Sequence, residues 1–247
     1  MEGQLQKVLV VGCTKGVGLQ VTKLLLGSPG KYDVHALVRS RERASKALGN
    51  EAAKVKFIDG DITKEDTFQP ACNGMDAVVC TVGAAAGWRI PGYNQSTPKH
   101  VDFLGVKNLS EAAASAMVPK FVVISSVAVT RPWYWVSIFL NTFMGREFIW
   151  KLKGEEALKE AYKKHEHISY YIIRPGGLTN REGGKHGIVV DQGDKGDGWI
   201  TRVDVAHVAL ACVNGACTPN STFEIWNSKE EGTPDLSKLL ELVPDKM

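Results

Sequence analysis

Near its N-terminus the chain reads Lys7-Val8-Leu9-Val10-Val11-Gly12-Cys13-Thr14-Lys15-Gly16-Val17-Gly18. An apolar run of this kind is typical of a strand buried on both faces, and an amphipathic helical pattern follows the glycines at once. In such a turn Gly12 permits the tight bend, Gly16 lets the backbone approach a pyrophosphate, and Gly18 lets the helix pack close to the sheet. The spacing predicts a dinucleotide-binding turn that also includes Thr14, Lys15 and Val17; the alternative is a glycine-rich turn without a ligand.

The same alternation of strand and helix continues along the chain. Strands are predicted at residues 7–11, 32–38, 55–58, 77–81, 121–125, 169–173, 188–190 and 222–225, and helices at 17–26, 41–48, 64–72, 100–117, 146–165, 203–213 and near 234–242. This pattern favours an α/β fold, a Rossmann-type doubly wound parallel sheet with helices on both faces. Because the pattern loosens after Arg174, we expect one NAD(P)-binding domain over residues 1–247, with a small C-terminal elaboration on the substrate side at about 175–247.

Composition narrows the classes of partner. A net charge of +3 is too small to indicate nucleic acid or an anionic membrane surface. The five cysteines are scattered without a Cys-x-x-Cys pair, so we expect reduced thiols and neither a metal site nor a disulfide framework. We find no targeting segment and no integral membrane segment, which favours the cytoplasm; a chloroplast or other organelle would fit if a transit peptide had been removed.

The residues after the second strand bear on the choice of cofactor. Sites that prefer NAD place an acidic residue there for the ribose 2′-hydroxyl, whereas this strand ends Leu37-Val38-Arg39-Ser40-Arg41. Arg39 can pair with a 2′-phosphate in planar, bidentate fashion, and Lys15 adds a second positive charge nearby. The sequence therefore predicts NADP(H), the alternative being that these are ordinary solvated charges.

Two further strand ends carry candidate contacts, since ligands of open α/β sheets bind at the carboxyl ends of the strands. Asp61 follows the third strand and can accept a hydrogen bond from the adenine amino group, while Ile62 covers the ring. Thr81, Val82 and Gly83 end the fourth strand, where small residues let the ribose approach.

Taken together, these residues resemble the atypical short-chain dehydrogenase/reductase superfamily, in its NAD(P)-binding, NmrA-like branch of plants, algae and cyanobacteria. The resemblance covers nearly the whole chain and rests on the glycine turn and on the segments at 35–40, 60–63, 123–126, 150–158, 173–178 and 201–206. It implies either a reductase of alkaloids and other small carbonyl or iminium compounds, or a thylakoid or envelope factor that binds NADP(H) in assembly or sensing. One departure is that Lys15 stands where the branch usually has the middle glycine.

The resemblance also implies a catalytic set of serine, tyrosine and lysine. Ser125 and Ser126 end the fifth strand, where the family serine lies, although they could simply cap the turn. No Tyr-x-x-x-Lys occurs. If Lys153 is the family lysine, Ile149 occupies the tyrosine position and cannot donate a proton. Lys153 would then hold the ribose hydroxyls or donate a proton itself; the alternative is a solvated helix lysine.

Two segments flank the expected substrate. The resemblance places Pro175, Gly176, Gly177 and Leu178 against the nicotinamide, with the glycines permitting close approach; otherwise they form a plain turn. The aromatic run at 132–144 is too short to span a bilayer. It is interpreted as a wall over an apolar substrate, as a docking surface for a membrane, a protein partner or a second copy, or as a helix packed on the core.

We therefore carry two hypotheses. The first is an NADPH-dependent oxidoreductase that acts on a small apolar carbonyl, iminium or quinone-like substrate. The second is a catalytically silent NADP(H)-binding sensor or assembly factor. The nearly complete cofactor site favours the first, and the missing tyrosine favours the second.

Overall fold

The strands are short and mostly apolar. In the computed structural model, which describes residues 4–64, 67–84, 97–134, 137–138 and 146–246, they are β1 (Gln6–Val11), β2 (Tyr32–Val38), β3 (Lys56–Asp59), β4 (Ala77–Cys80), β5 (Lys120–Ile124), β6 (Ser169–Pro175), β7 (Gly177–Thr179), β8 (His186–Asp191), β9 (Trp199–Thr201) and β10 (Ser221–Glu231). Eight of them form one sheet in the order β3-β2-β1-β4-β5-β6-β10-β8. Neighbours pair in parallel, except that β8 runs antiparallel to β10. The predicted doubly wound Rossmann-type sheet is thus confirmed.

Helices cover both faces of this sheet. They are α1 (Gly16–Leu26), α2 (Arg41–Leu48), α3 (Val106–Ser115), α4 (Glu147–Tyr162) and α5 (Arg202–Val213), and a π-helical segment, Lys99–Gly105, leads into α3. Along β1, Val8 and Val10 join the core beneath α1 and α5, whereas Leu9 and Val11 join the core beneath α3 and α4. Alternate residues of one apolar run therefore fill two cores, which is why the strand is apolar throughout.

Two predicted helices are wrong in extent. In the described part of residues 64–72 the structure has no α-helix, and Gln69–Cys72 forms a 3₁₀ turn, because Pro70 lacks the N–H that a longer helix would need; residues 65–66 lie outside the described ones. The helix expected near 234–242 is a single 3₁₀ turn, Ser237–Leu240. There the Asp235 carboxylate accepts the Ser237 N–H at 2.9 Å, a local bond that favours a turn.

The C-terminal part of the chain contributes to the main sheet. β10 pairs in parallel with β6, and β8 then extends the sheet beside β10. A separate parallel pair, β7 with β9, lies after β6. The elaboration after residue 175 is therefore built onto the end of the sheet where β6 lies.

The cysteines and helices bear on the remaining expectations. Cys13, Cys72, Cys80, Cys212 and Cys217 are all buried and free. Among the described residues, we find no helix with the length and apolarity that a membrane crossing requires.

Candidate functional site

The glycine turn is packed against the end of β4. Gly12 has φ +103°, and a Cβ added there would lie 2.6 Å from Thr81 Oγ1. A Cβ on Gly18 would collide with both the Gly12 carbonyl oxygen and Thr81 Oγ1. Thr81 is itself fixed, since its hydroxyl donates to the Val11 carbonyl oxygen at 3.0 Å. The close approach of turn, helix and strand therefore requires these glycines.

The first turn of α1 offers unpaired donors. Helix α1 begins at Gly16, Lys15 is its N-cap residue without a side-chain capping bond, and no acidic residue lies in the first turn. Thr14 and Lys15 are exposed, while Val17 is buried. Free N–H groups and the helix dipole make such a terminus suited to an anion.

The two arginines after β2 differ in their surroundings. Arg41 pairs with Asp59 at the end of β3, with 2.9 Å between Nη2 and Oδ2, and its hydrogen bond lowers the pKa of the Asp59 carboxyl. Arg39 is exposed and has no carboxylate partner among the described residues. Of the pair, Arg39 is the one available to a ligand.

The predicted adenine contacts lie at the neighbouring strand ends. Asp61 Oδ1 accepts hydrogen bonds from the Thr63 N–H at 3.0 Å and from the Thr63 hydroxyl at 2.8 Å. Ile62 is 6% exposed and packs on Gly105. Val82 is half-buried and Gly83 exposed at the end of β4.

A small cavity at the ends of β4 and β5 brings together the residues suited to chemistry. It is lined by Val82, Asp102, Val106, Val123, Ile124, Ser125, Lys151, Gly154 and Glu155. Ser125 Oγ is buried and has no hydrogen-bond partner among the described residues. Ser126 is half-buried beside it. A buried hydroxyl without a partner is costly, and a bound ligand would satisfy it.

Lys151 is held in this cavity as a cation. Its Nζ lies 2.6 Å from Asp102 Oδ1 and 3.9 Å from Glu147 Oε1. The other Asp102 oxygen accepts the Ala84 N–H at 3.1 Å. Burial alone would lower the pKa of Lys151, but the two carboxylates outweigh it, and the pKa lies above its usual range.

The structure does not bring Lys153 to this site. Lys153 is exposed, with its Nζ 5.4 Å from the Trp150 ring centroid and 5.9 Å from that of Phe103. Two residues along a helix turn a side chain by roughly 200°, which separates it from Lys151. With Lys151 as the site lysine, the residue four positions earlier is Glu147 rather than Ile149.

The segment after β6 is occupied by the protein's own contacts. The Gly176 N–H donates to the Ile225 carbonyl oxygen at 2.9 Å, and the Gly177 N–H donates to the Gly198 carbonyl oxygen at 2.8 Å. A Cβ on Gly177 would lie 2.5 Å from the Trp199 ring. These glycines between Pro175 and Leu178 thus serve the packing of β7 against β9, and their two N–H groups are already used.

Sequence reasoning missed a buried charge network beside the cavity. Arg174 donates to Glu155 at 2.6 and 3.1 Å and to Glu224 at 3.1 Å. The Asp194 N–H donates to the second Glu224 oxygen at 2.9 Å, and the Asp194 carboxylate accepts the Ala128 N–H at 2.6 Å. The network ties the segment after Ser125 to the C-terminal part of the chain. Its members lie far apart in sequence, and only Glu155 and Arg174 fall in the segments of the resemblance, at 150–158 and 173–178.

Much of the aromatic run lies outside the described residues, which omit 135–136 and 139–145. Trp133 is 88% exposed. The Tyr134 hydroxyl donates to Asp197, and the Arg131 guanidinium lies 4.6 Å from the Tyr134 ring centroid. The start of the run is therefore fastened to the loop before β9.

Comparisons with known proteins agree with this geometry. The profile of a family described as NAD(P)H-binding matches residues 12–216. The chloroplastic protein TIC 62 of Arabidopsis thaliana is 30% identical over 97% of this chain, which spans 38% of the length of that protein. Sanguinarine reductase of Eschscholzia californica is 27% identical over 94% of this chain and 92% of its own length.

Among solved structures, the oxidoreductase YlbE of Lactococcus lactis superposes with a TM-score of 0.71 over 96% of this chain and 95% of its own, at 24% identity. At this identity the superposition shows a shared fold. The family profile, by contrast, matches most of the sequence. The chain belongs to the NAD(P)H-binding family of Rossmann-fold proteins, among the atypical short-chain dehydrogenases/reductases of the NmrA-like type.

Proposed function

We propose that the protein is an NADPH-dependent oxidoreductase that reduces a small apolar carbonyl, iminium or quinone-like compound. The observation that carries this proposal is the unpartnered Ser125 hydroxyl, buried beside the charged Lys151 at the end of β5. The position is the carboxyl edge of the sheet, where the glycine turn also lies, and ligands of such sheets bind at that edge.

The residues divide the cofactor between them. The turn from Gly12 to Gly18 would hold the pyrophosphate, and Arg39 with Lys15 would hold the 2′-phosphate that distinguishes NADPH from NADH. Asp61 and Ile62 would contact the adenine. The ribose would lie against Thr81, Val82 and Gly83. A bound NADPH supplies a hydride.

Lys151 would bind the hydroxyls of the nicotinamide ribose, with Ser125 and Ser126 beside the reacting carbonyl. Asp102 and Glu147 raise the pKa of the ammonium, so that Lys151 orients and stabilises by its charge and is a poor proton donor. Water near the site would then supply the proton. Iminium and quinone-like substrates suit this arrangement. Hydride addition to an iminium gives a neutral amine that needs no proton, and addition to a quinone gives a phenolate, which is a much weaker base than the alkoxide formed from a simple carbonyl.

Lys151 and Lys153, both on α4, provide a matched test. We would titrate NADPH and NADH by energy transfer from tryptophan, then follow NADPH oxidation with a panel of carbonyl, iminium and quinone compounds. Turnover should fall at least tenfold in Lys151→Met and Ser125→Ala, and stay unchanged in Lys153→Met. No oxidation of NADPH with any member of the panel would reject the oxidoreductase.

A second candidate is a silent NADP(H)-binding sensor or assembly factor, favoured by Glu147 at the position of the expected tyrosine and by the exposed Trp133. It predicts tight NADPH binding without turnover, and a protein partner lost on Trp133→Ser. Because the relative TIC 62 is chloroplastic, this proposal includes a location in the chloroplast. Partners that stay bound to the variant would count against it.

A further inference from the structure

Arg202 lies close to the glycine turn in space, although it is far from that turn in sequence. It is the first residue of α5, which packs beside α1. A Cβ added to Gly16 would lie 3.8 Å from Arg202 Nε. The side chain is half-buried, and its Nη1 donates to Asn180 Oδ1 at 2.9 Å. Among the described residues, its guanidinium has no carboxylate within ion-pair distance.

The electrostatic surroundings of Arg202 call for an anion. The N-terminus of α1 carries the positive end of the helix dipole, its first turn has no acidic residue, and Lys15 precedes it. A guanidinium beside these groups is repelled by them in the absence of a negative charge. The placement becomes favourable when an anion lies between the turn and Arg202.

The start of α5 is rigidly fixed. Thr201 Oγ1 accepts the Asp204 N–H at 3.0 Å, which caps the helix. The buried Asp204 carboxylate accepts the Gly184 N–H at 2.7 Å and the Asn227 side-chain amide at 2.9 Å. Arg202 therefore extends from a well-held helix end, and its guanidinium loses little freedom on binding a ligand.

We infer that Arg202 binds the pyrophosphate of the dinucleotide, so that the C-terminal part of the chain completes a phosphate site begun by the glycine turn. The inference rests on the proposed function only as far as cofactor binding. Guanidinium suits phosphate oxygens because it donates two parallel hydrogen bonds. Asn180 is the positioning residue that orients it.

The test separates the pyrophosphate from the 2′-phosphate. Affinities would be measured for NADPH, NADH, ADP-ribose and 2′-AMP, of which only 2′-AMP lacks a pyrophosphate. Arg202→Ala should weaken the first three by about tenfold or more, the value of a charged hydrogen bond, and leave 2′-AMP unchanged. Arg202→Lys should recover part of the loss, and Asn180→Ala should weaken the same three ligands by less. Arg181→Ala is the matched control at an exposed neighbour and should change none of them.

Arg39→Ala should give the opposite pattern, with weaker NADPH and 2′-AMP and unchanged NADH. Unchanged ADP-ribose affinity in Arg202→Ala, or an equal loss for 2′-AMP, would overturn the role of Arg202. If the wild-type protein bound NADPH but no compound of the panel led to its oxidation, the oxidoreductase would be rejected. The binding measurements would still decide the role of Arg202.

Discussion

At the scale of single residues, the buried Lys151–Asp102 pair should stabilise the fold as well as the site. Asp102→Asn keeps the shape of the side chain but leaves the Lys151 ammonium without its nearest charge, 2.6 Å away. Removing one partner of a buried pair costs about 3–5 kcal/mol, and we expect the free energy of unfolding in urea to fall by an amount in that range. Glu111→Gln is the control, because it breaks an exposed pair with Lys107 and should cost about 0–1 kcal/mol. If both variants lost the same free energy of unfolding, the Lys151–Asp102 pair would not have the stabilising role assigned to it here.

The same residues show what sequence could predict at this scale. The glycine turn was found because each glycine answers a local requirement of a strand–turn–helix unit. The structure places Lys151 in the cavity and leaves the predicted Lys153 exposed; α4 carries several lysines, and periodicity alone does not say which one faces the sheet. The useful signal was Gly154, which packs on the Asp102 carbonyl and lies on the same helix face as Lys151.

At the scale of elements, the junction of β1, α1 and β4 should tolerate no side chain at Gly18. In Gly18→Ala the added Cβ would meet the Gly12 carbonyl oxygen and Thr81 Oγ1, so helix and strand must separate. Overpacking of this kind costs about 1–3 kcal/mol, and NADPH affinity should fall with it. Gly232→Ala adds its Cβ to open space and should change neither quantity. Thermal unfolding measures the stability of the two variants, and titration with NADPH measures their affinity. A Gly18→Ala variant that is as stable as the wild type and binds NADPH as tightly would show that the turn is not the phosphate site.

Elements were predictable where their cause is local. Continuous apolar runs marked the central strands, as they do when both faces are covered. By contrast β7 and β9 are three residues each and pair across residues 180–198, which include β8, and no local pattern encodes that pairing. The two shortened helices failed for a different reason: Pro70 and the Asp235 turn override a periodicity that was otherwise helical.

At the scale of the whole molecule, Arg174 joins α4, β6 and β10 through Glu155 and Glu224. Burial raises the pKa of Glu224 above its usual value, against the opposing bonds from the Asp194 N–H and Arg174. These charges are stable only as a set, so that the cofactor edge and the C-terminal part of the chain depend on each other. Sequence could not reveal this dependence, since it arises from contacts between distant segments.

This dependence predicts that the chain unfolds as one unit. Circular dichroism, which reports all elements, and the fluorescence of its tryptophans, including Trp226 in β10, should give the same urea transition. NADPH at a hundred times its dissociation constant should stabilise the whole transition by about 2.7 kcal/mol. Arg174→Met should lower the free energy of unfolding by about 3–5 kcal/mol, because two carboxylates stay buried without their cation. Two separate transitions, with NADPH shifting only one of them, would mean that the C-terminal part folds on its own and that Arg202 cannot be held against the glycine turn as the proposed phosphate site requires.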